Sequence, residues 1–231
     1  MVREAAVIFD MDGLLVDTER LQFAASDRVL MKLRGVTLPH EVMIALIGLR
    51  SDECWAYMKK MYDLSESLDE LEAMQAETYA PMLRNESEAM PGARELIATL
   101  HEKGYPMAIA SSSPLWQIDA VVERLGIQGI LGAVASGQEV TRGKPAPDVY
   151  LLAAQRLGIA PARCVALEDS RPGSLSAKAA GMYVIAVPSA ETVSHSFDHA
   201  DMVLPSLVGA APEIERLLNG HAPPVPFSPG V

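Results

Sequence analysis

Of the 231 residues only two are cysteine, Cys54 and Cys164, and they stand far apart in the chain. Two such thiols make neither a zinc-ligand spacing nor a disulfide framework, so both are expected as buried free thiols in a reducing compartment. Aromatic residues are scarce too, at 5%, although hydrophobic residues together reach 49%. The core must therefore be built from Ala, Val, Leu, Ile and Met. There is no basic excess: the formal net charge is -11. That excludes a nucleic-acid face, and it requires any anionic substrate to be met by local positive charge or a metal. No apolar run approaches the length of a membrane span, and the one in "MVREAAVIFD" is too short for a signal peptide. A cytoplasmic monomer acting on a small molecule, with no membrane or nucleic-acid partner, is expected.

What the chain does have is alternation. Apolar strands are expected at 5–10, 106–111, 132–136, 163–168, 183–187 and 201–204. Helical segments such as "PGARELIATLHEKG" and "PLWQIDAVVERLG" lie between them, with Pro near the start and Gly at the end. This pattern predicts an α/β fold, a doubly wound parallel sheet of Rossmann-like type, with ligands beyond the carboxyl ends of the strands. From 17 to 85 the rhythm breaks into helical segments alone, which predicts a helical cap inserted into a core made of 1–16 and 86–231. One predicted cap helix, "SLDELEAMQAETYAPML", sets Leu68, Leu71, Met74 or Gln75, Thr78 and Met82 on one face. The last eleven residues, "HAPPVPFSPGV", carry four prolines and read as a loose tail.

The most buried-looking strand ends in acid. "VIFDMDGLLVDTE" puts Asp10, Asp12 and Asp17 directly behind Val7, Ile8 and Phe9. If the strands are parallel, the same edge receives "SSSP" from Ser111 to Pro114, Lys144 from "RGKPAPDVY", and Glu168 and Asp169 from "ALEDS". Crowded carboxylates hold protons unless a hard cation compensates them, and Mg²⁺ suits oxygen ligands. A helix starting at Pro114, with Ser113 as its N-cap, would turn backbone N–H groups toward an anion, and Lys144 adds positive charge. Together these groups describe a phosphate site. Asp17 is read as a helix cap.

"FDMDGLLVDTE", "ASSSP", "GKPAPDVY" and "ALEDS" resemble, in order, the four motifs of the haloacid dehalogenase-like superfamily. The helical insert resembles the cap of the branch that holds β-phosphoglucomutase and sugar-phosphate phosphatases, and "GLRSDE" with "ALEDS" is similar to bacterial hexitol and 2-deoxyglucose phosphate phosphatases. The resemblance implies a Mg²⁺-dependent phosphatase in which Asp10 attacks phosphorus and becomes an aspartyl phosphate. It implies that Asp12 protonates the leaving oxygen and then takes a proton from water. Asp10, the Asp12 carbonyl and Asp169 would hold the metal, with Glu168 acting through a water. Ser111, the Ser112 amide and Lys144 would bind the transferring phosphoryl oxygens, and Arg50 in the cap would contact substrate.

Several rival readings are weaker. "GQEVTRGKP" imitates a nucleotide-binding P-loop, but Pro145 stands where Ser or Thr should follow the Lys. His195 and His199 are four apart, yet "SHSFDHAD" reads as a surface loop and not a zinc site. A phospho-accepting receiver would be about half this length and has no cap, and a dehalogenase has no use for the metal-binding acids. The alternative of a phosphomutase turns on two positions. By resemblance to β-phosphoglucomutases, a His of the first cap helix falls on Gln22 and a Lys of a later one on Gln75. Neutral Gln cannot attract a second phosphate as Lys does, so hydrolysis is expected.

Overall fold

Ala6, Val7, Ile8 and Phe9 are wholly buried, as the central strand of a sheet covered on both faces must be. They form β1 (Ala6–Phe9) in a computed structural model that describes residues 4–46, 51–190 and 192–221. β1 lies between β2 (Met107–Ser111) and β4 (Cys164–Glu168); β3 (Ala133–Ser136) flanks β2, and β5 (Tyr183–Ala186) and β6 (Met202–Val203) continue beyond β4. Every pairing in this six-stranded sheet is parallel. Register decides where the polar ends fall. Phe9 is level with Ile109 and Leu167, so Asp10, Ser111 and Glu168 leave the sheet at one edge. The Asp10 N–H donates to the Leu167 carbonyl at 3.0 Å, which carries the pairing one residue beyond the strand.

Alternation along β1 divides its side chains between two faces. Ile8 packs with Ala108, Ala110 and Ala166 of the neighbouring strands, and with Val149, Tyr150 and Ala153 of helix α7 (Asp148–Leu157, numbered in chain order below). Small alanines at those strand positions let the helix backbone approach closely. This is how a chain poor in aromatics closes its core.

The chain divides into two compact units, Met1–Val16 with Glu88–Val231, and Asp17–Ser87. The second unit contains α1 (Thr18–Arg34), α2 (His40–Leu46), α3 (Ser51–Met61) and α4 (Leu68–Glu86). Asp17 caps α1 by accepting the Arg20 N–H, and Gly35 ends it in the left-handed conformation. Ser67 and Glu70 form a capping box at the start of α4. Trp55, Met58 and Leu71 fill this unit's own core with Val29 and Leu30. The first unit supplies α5 (Ala93–Glu102), α6 (Leu115–Leu125), α7, α8 (Arg171–Ala179) and α9 (Ala211–Arg216). Among the described residues no helix is long and apolar enough to cross a membrane.

Three sequence expectations need correction. α6 begins at Leu115 with Pro114 at its cap position, and no side chain caps it. The buried face of α4 is Leu71, Tyr79, Met82 and Leu83, while Thr78 is only half-buried. That face drifts because the helical repeat is 3.6 rather than a whole number. Cys164 is buried, but Cys54 is half-buried, with its thiol donating to the Leu46 carbonyl at 3.6 Å. The tail at 222–231 and Arg50 lie outside the described residues.

Ile8 joins the central strand to α7, so its truncation should leave a cavity that the small surrounding residues cannot fill. Ile8→Ala is expected to lower unfolding stability by about 2–5 kcal/mol, read from the urea midpoint. A loss below about 1 kcal/mol would contradict a close-packed position there.

Candidate active site

The apolar sheet ends in charge that is mostly withheld from water. Asp10, Glu168 and Asp169 are all buried, and one oxygen from each lies within 4.8 Å of the others. Lys144 enters this group from the loop before α7. Its Nζ lies 2.5 Å from Asp10 Oδ1 and 2.6 Å from Glu168 Oε1, with the lysine side chain only 8% exposed. A buried carboxylate without a partner is costly, and a shared ammonium offsets part of that cost for both acids. It also stands 5.1 Å from the centre of the Tyr150 ring.

Both oxygens of Glu168 are held. Oε1 accepts from Lys144 and from the Tyr150 hydroxyl at 3.0 Å, and Oε2 accepts from Ser170 through its N–H at 3.0 Å and its hydroxyl at 2.8 Å. Ser170 is also the N-cap of α8, accepting the Gly173 N–H at 3.2 Å. Glycine is required in two places because the carboxylates press on backbone. A Cβ on Gly173 would stand 1.6 Å from Glu168 Oε1, and one on Gly13 would stand 2.3 Å from Asp169 Oδ2. Gly13 also has a φ of 78°, which L side chains disfavour.

Asp12 projects differently from the cluster. Its Oδ2 accepts from the Ser113 hydroxyl at 2.8 Å and from the Ser111 hydroxyl at 3.1 Å, while Ser111 Oγ accepts the Ser113 N–H at 2.9 Å. Ser113 therefore serves Asp12 and not the helix end that the sequence assigned to it. With α6 starting one residue later than expected, a Ser113 side chain is too early in the chain to cap it.

The electrostatics follow from this crowding. Burial, then Glu168 and Asp12, push the Asp10 carboxyl from an ordinary 3.8 to about 8, against the opposing pull of Lys144. Burial disfavours the Lys144 ammonium, but Asp10 and Glu168 outweigh it and hold that ammonium above its ordinary range. The Tyr150 hydroxyl, buried beside Glu168, is held well above its ordinary range. Among the described residues Lys144 meets two of the three clustered acids, Asp10 and Glu168, and oxygen donors in that excess fit a hard divalent cation.

Of the residues singled out in the sequence, Asp10, Glu168, Asp169 and Lys144 meet, and Ser111 donates to Asp12. The Asp12 carboxylate is not part of the three-acid cluster. Arg50 is outside the described residues. Tyr150, Ser113, Gly13 and Gly173 were missed; Gly13, beside the acids in "DMDG", was the one with a visible signal. Among the described residues His195 and His199 belong to no metal group: His199 Nε2 is 2.8 Å from Ser174 Oγ, and His195 is exposed. Gln75, in the second unit, accepts from Trp55 Nε1 at 2.8 Å and donates to Ser26 Oγ at 2.9 Å. It lines, with Gln22, a cavity of roughly 90 Å³ within that unit.

A family model described as haloacid dehalogenase-like hydrolase matches residues 7–187. The chain is 35% identical over 212 residues to a probable pseudouridine-5'-phosphatase of Drosophila melanogaster, covering 89% of this chain and 91% of that one. It is 35% identical over 207 residues to hexitol phosphatase B of Escherichia coli, covering 87% and 92%. Among solved structures it is similar to CbbY from Rhodobacter sphaeroides in complex with phosphate, with a TM-score of 0.78, 28% identity, and coverage of 91% and 96%.

Because folded Asp10 keeps a proton that the unfolded chain releases near its ordinary 3.8, the metal-free protein should lose stability as pH rises from there to about 8. Lys144 stays charged across that window. A divalent cation competes with the Asp10 proton, so added Mg²⁺ should raise the melting temperature more near pH 8 than near pH 5. Thermal melts in EDTA and in Mg²⁺ at both values check this. A larger Mg²⁺ effect at the lower pH would contradict the raised carboxyl.

Proposed function

We infer the activity from one premise: the chain belongs to the haloacid dehalogenase-like hydrolase family, whose model matches most of its length. It is a phosphatase that hydrolyses monoesters of small phosphorylated sugars or polyols, with Mg²⁺ as its metal. The observation that carries this reading is the buried contact of Lys144 with both Asp10 and Glu168, beside Asp169, at the edge where Ser111 also ends. Relatives named as hexitol and pseudouridine-5'-phosphatases support the substrate class.

Phosphate monoesters are very inert in water, and their cleavage depends on positioning and on neutralising charge. Asp10 is the nucleophile: an oxygen of its carboxylate attacks phosphorus and an aspartyl phosphate results. Asp12 gives its proton to the departing sugar oxygen, then takes one from the water that hydrolyses the aspartyl phosphate. Ser111, Ser112 and Lys144 orient the phosphoryl oxygens, and Lys144 stabilises their negative charge. Glu168 holds Lys144 in place, because its own oxygens are tied to Tyr150 and Ser170. Asp10, Asp169 and the Asp12 carbonyl are the groups that would hold Mg²⁺. When bound, the cation would supply positive charge that keeps Asp10 anionic and offsets the negative charge of the phosphoryl oxygens. Arg50 is assigned to contact with the substrate.

Water, not a second sugar hydroxyl, receives the phosphoryl group. Gln75 supports this, since its neutral amide is occupied by Trp55 and Ser26 and offers no charge to a second phosphate.

Phosphate release from a panel of sugar and polyol phosphates should be silenced by EDTA and restored by Mg²⁺. Full activity in metal-free buffer would contradict the cation's role. On β-glucose 1-phosphate with a trace of the 1,6-bisphosphate, phosphorus NMR should show inorganic phosphate as the product. Accumulation of glucose 6-phosphate ahead of it would make the enzyme a mutase.

A further inference from the structure

β3 ends level with β2, with Ser136 paired to Ser111. Ser136 therefore arrives beside the turn that leaves β2 through Ser112 and Ser113. Its side chain is wholly buried, where a hydroxyl must find hydrogen-bond partners. Oγ accepts the Gln138 N–H at 3.2 Å, and its one hydrogen goes to the Ser113 carbonyl at 2.7 Å. The Ser113 N–H donates to Ser111 Oγ at 2.9 Å. Gly137 closes over the Ser112 carbonyl: a Cβ there would lie 2.8 Å from that oxygen and 3.0 Å from the Ser112 Cα. Ser112 itself is exposed, so it is these contacts, and not packing of its own side chain, that set its backbone. We propose that Ser136 is a positioning residue for phosphoryl transfer: its hydroxyl holds the turn after β2 so that the Ser112 N–H meets a phosphoryl oxygen. This rests on the phosphoryl-binding role given to Ser112 above. An amide stabilises charge developing on an oxygen only where it is already aimed, since turning it during the reaction would cost much of what it supplies.

Ser136 is held in turn from outside the site. Its N–H donates to Glu139 Oε2 at 3.0 Å, which closes the short helical turn Gly137–Glu139 as a capping box. Arg156 of α7 pairs with both oxygens of Glu139, at 2.9 Å and 2.8 Å, and also donates to the Val134 carbonyl in β3. The end of β3, its turn and α7 thus brace the Ser113 carbonyl from behind. Among the described residues Ser136 forms no hydrogen bond with Asp10, Asp12, Glu168 or Asp169. Loss of its hydroxyl therefore loosens a phosphoryl-binding amide without removing a group from the three-acid cluster.

Orthovanadate takes up the five-coordinate geometry of a phosphoryl group in transfer, so its inhibition constant reads how well the oxygen-binding groups are placed. It is measured as a competitive inhibitor of p-nitrophenyl phosphate hydrolysis in Mg²⁺. Ser136→Ala should raise the inhibition constant about tenfold, and Ser136→Thr, which keeps the hydroxyl, should restore it. Glu139→Ala, which frees the Ser136 N–H, should raise it roughly threefold and decides the matter if Ser136→Ala does not fold. The half-saturating Mg²⁺ concentration should not change in any of them. A variant that only unfolds more readily has fewer active molecules, and an inhibition constant does not depend on their number. A purely structural role would therefore leave it where it is in the wild type. If orthovanadate does not compete in the wild type, the phosphoryl site is misread and the proposal falls with it. If it competes there but inhibits Ser136→Ala and Glu139→Ala equally well, or if Ser136→Thr behaves as Ser136→Ala, the phosphatase reading stands and the positioning role is overturned.

Discussion

One ammonium inserted among buried acids is the constraint on which the rest of the structure depends. Lys144 can reach both Asp10 and Glu168 only because β1 and β4 are adjacent and in a register that ends them together. A one-residue slip of either strand would turn its terminal acid to the opposite face. The core therefore does more than stabilise the fold: the apolar packing of Ile8, Ala166 and Tyr150 sets the positions of the charges at the edge. Tyr150 belongs to both, with its ring in the core cluster and its hydroxyl on Glu168.

Around that pair the chain makes room by omission as much as by contact. Gly13 and Gly173 lack side chains where Asp169 and Glu168 press on the backbone, and Gly137 does the same for the Ser112 peptide. Hydroxyls do the remaining work: Ser170 on Glu168, Ser111 and Ser113 on Asp12, and Ser136 on the Ser113 carbonyl. These are short, stiff side chains that lose little rotamer freedom when fixed. A site built from them can remain in one geometry while different esters pass through it.

Much of this was legible in the chain, and the reason is physical. A parallel sheet buried on both faces writes itself as short apolar runs, and each of the six strands lies within its expected segment. Acids placed directly after those runs, at Asp10 and Glu168, are legible because little except a charged site favours them there. The supporting residues were not. Tyr150 looks like any helix aromatic, and nothing local marks its hydroxyl as a partner of Glu168, eighteen residues later. Ser113 before Pro114 has the pattern of an N-cap, but its hydroxyl is drawn to Asp12, 101 residues away. Long-range hydrogen bonds of this kind depend on the packed fold, and sequence pattern carries only local preference.

The central claim is that Asp10 forms a covalent bond to phosphorus, and it can be read directly. The enzyme is quenched in acid during turnover of its best substrate, the acyl phosphate is reduced with borohydride, and the digest is sequenced by mass spectrometry. Asp10 alone should appear as homoserine, in an amount that falls to background without substrate. Modification of Asp12 or Asp169 instead, or no modified peptide from an enzyme sampled at full turnover when the step that consumes the intermediate is rate-limiting, would contradict it.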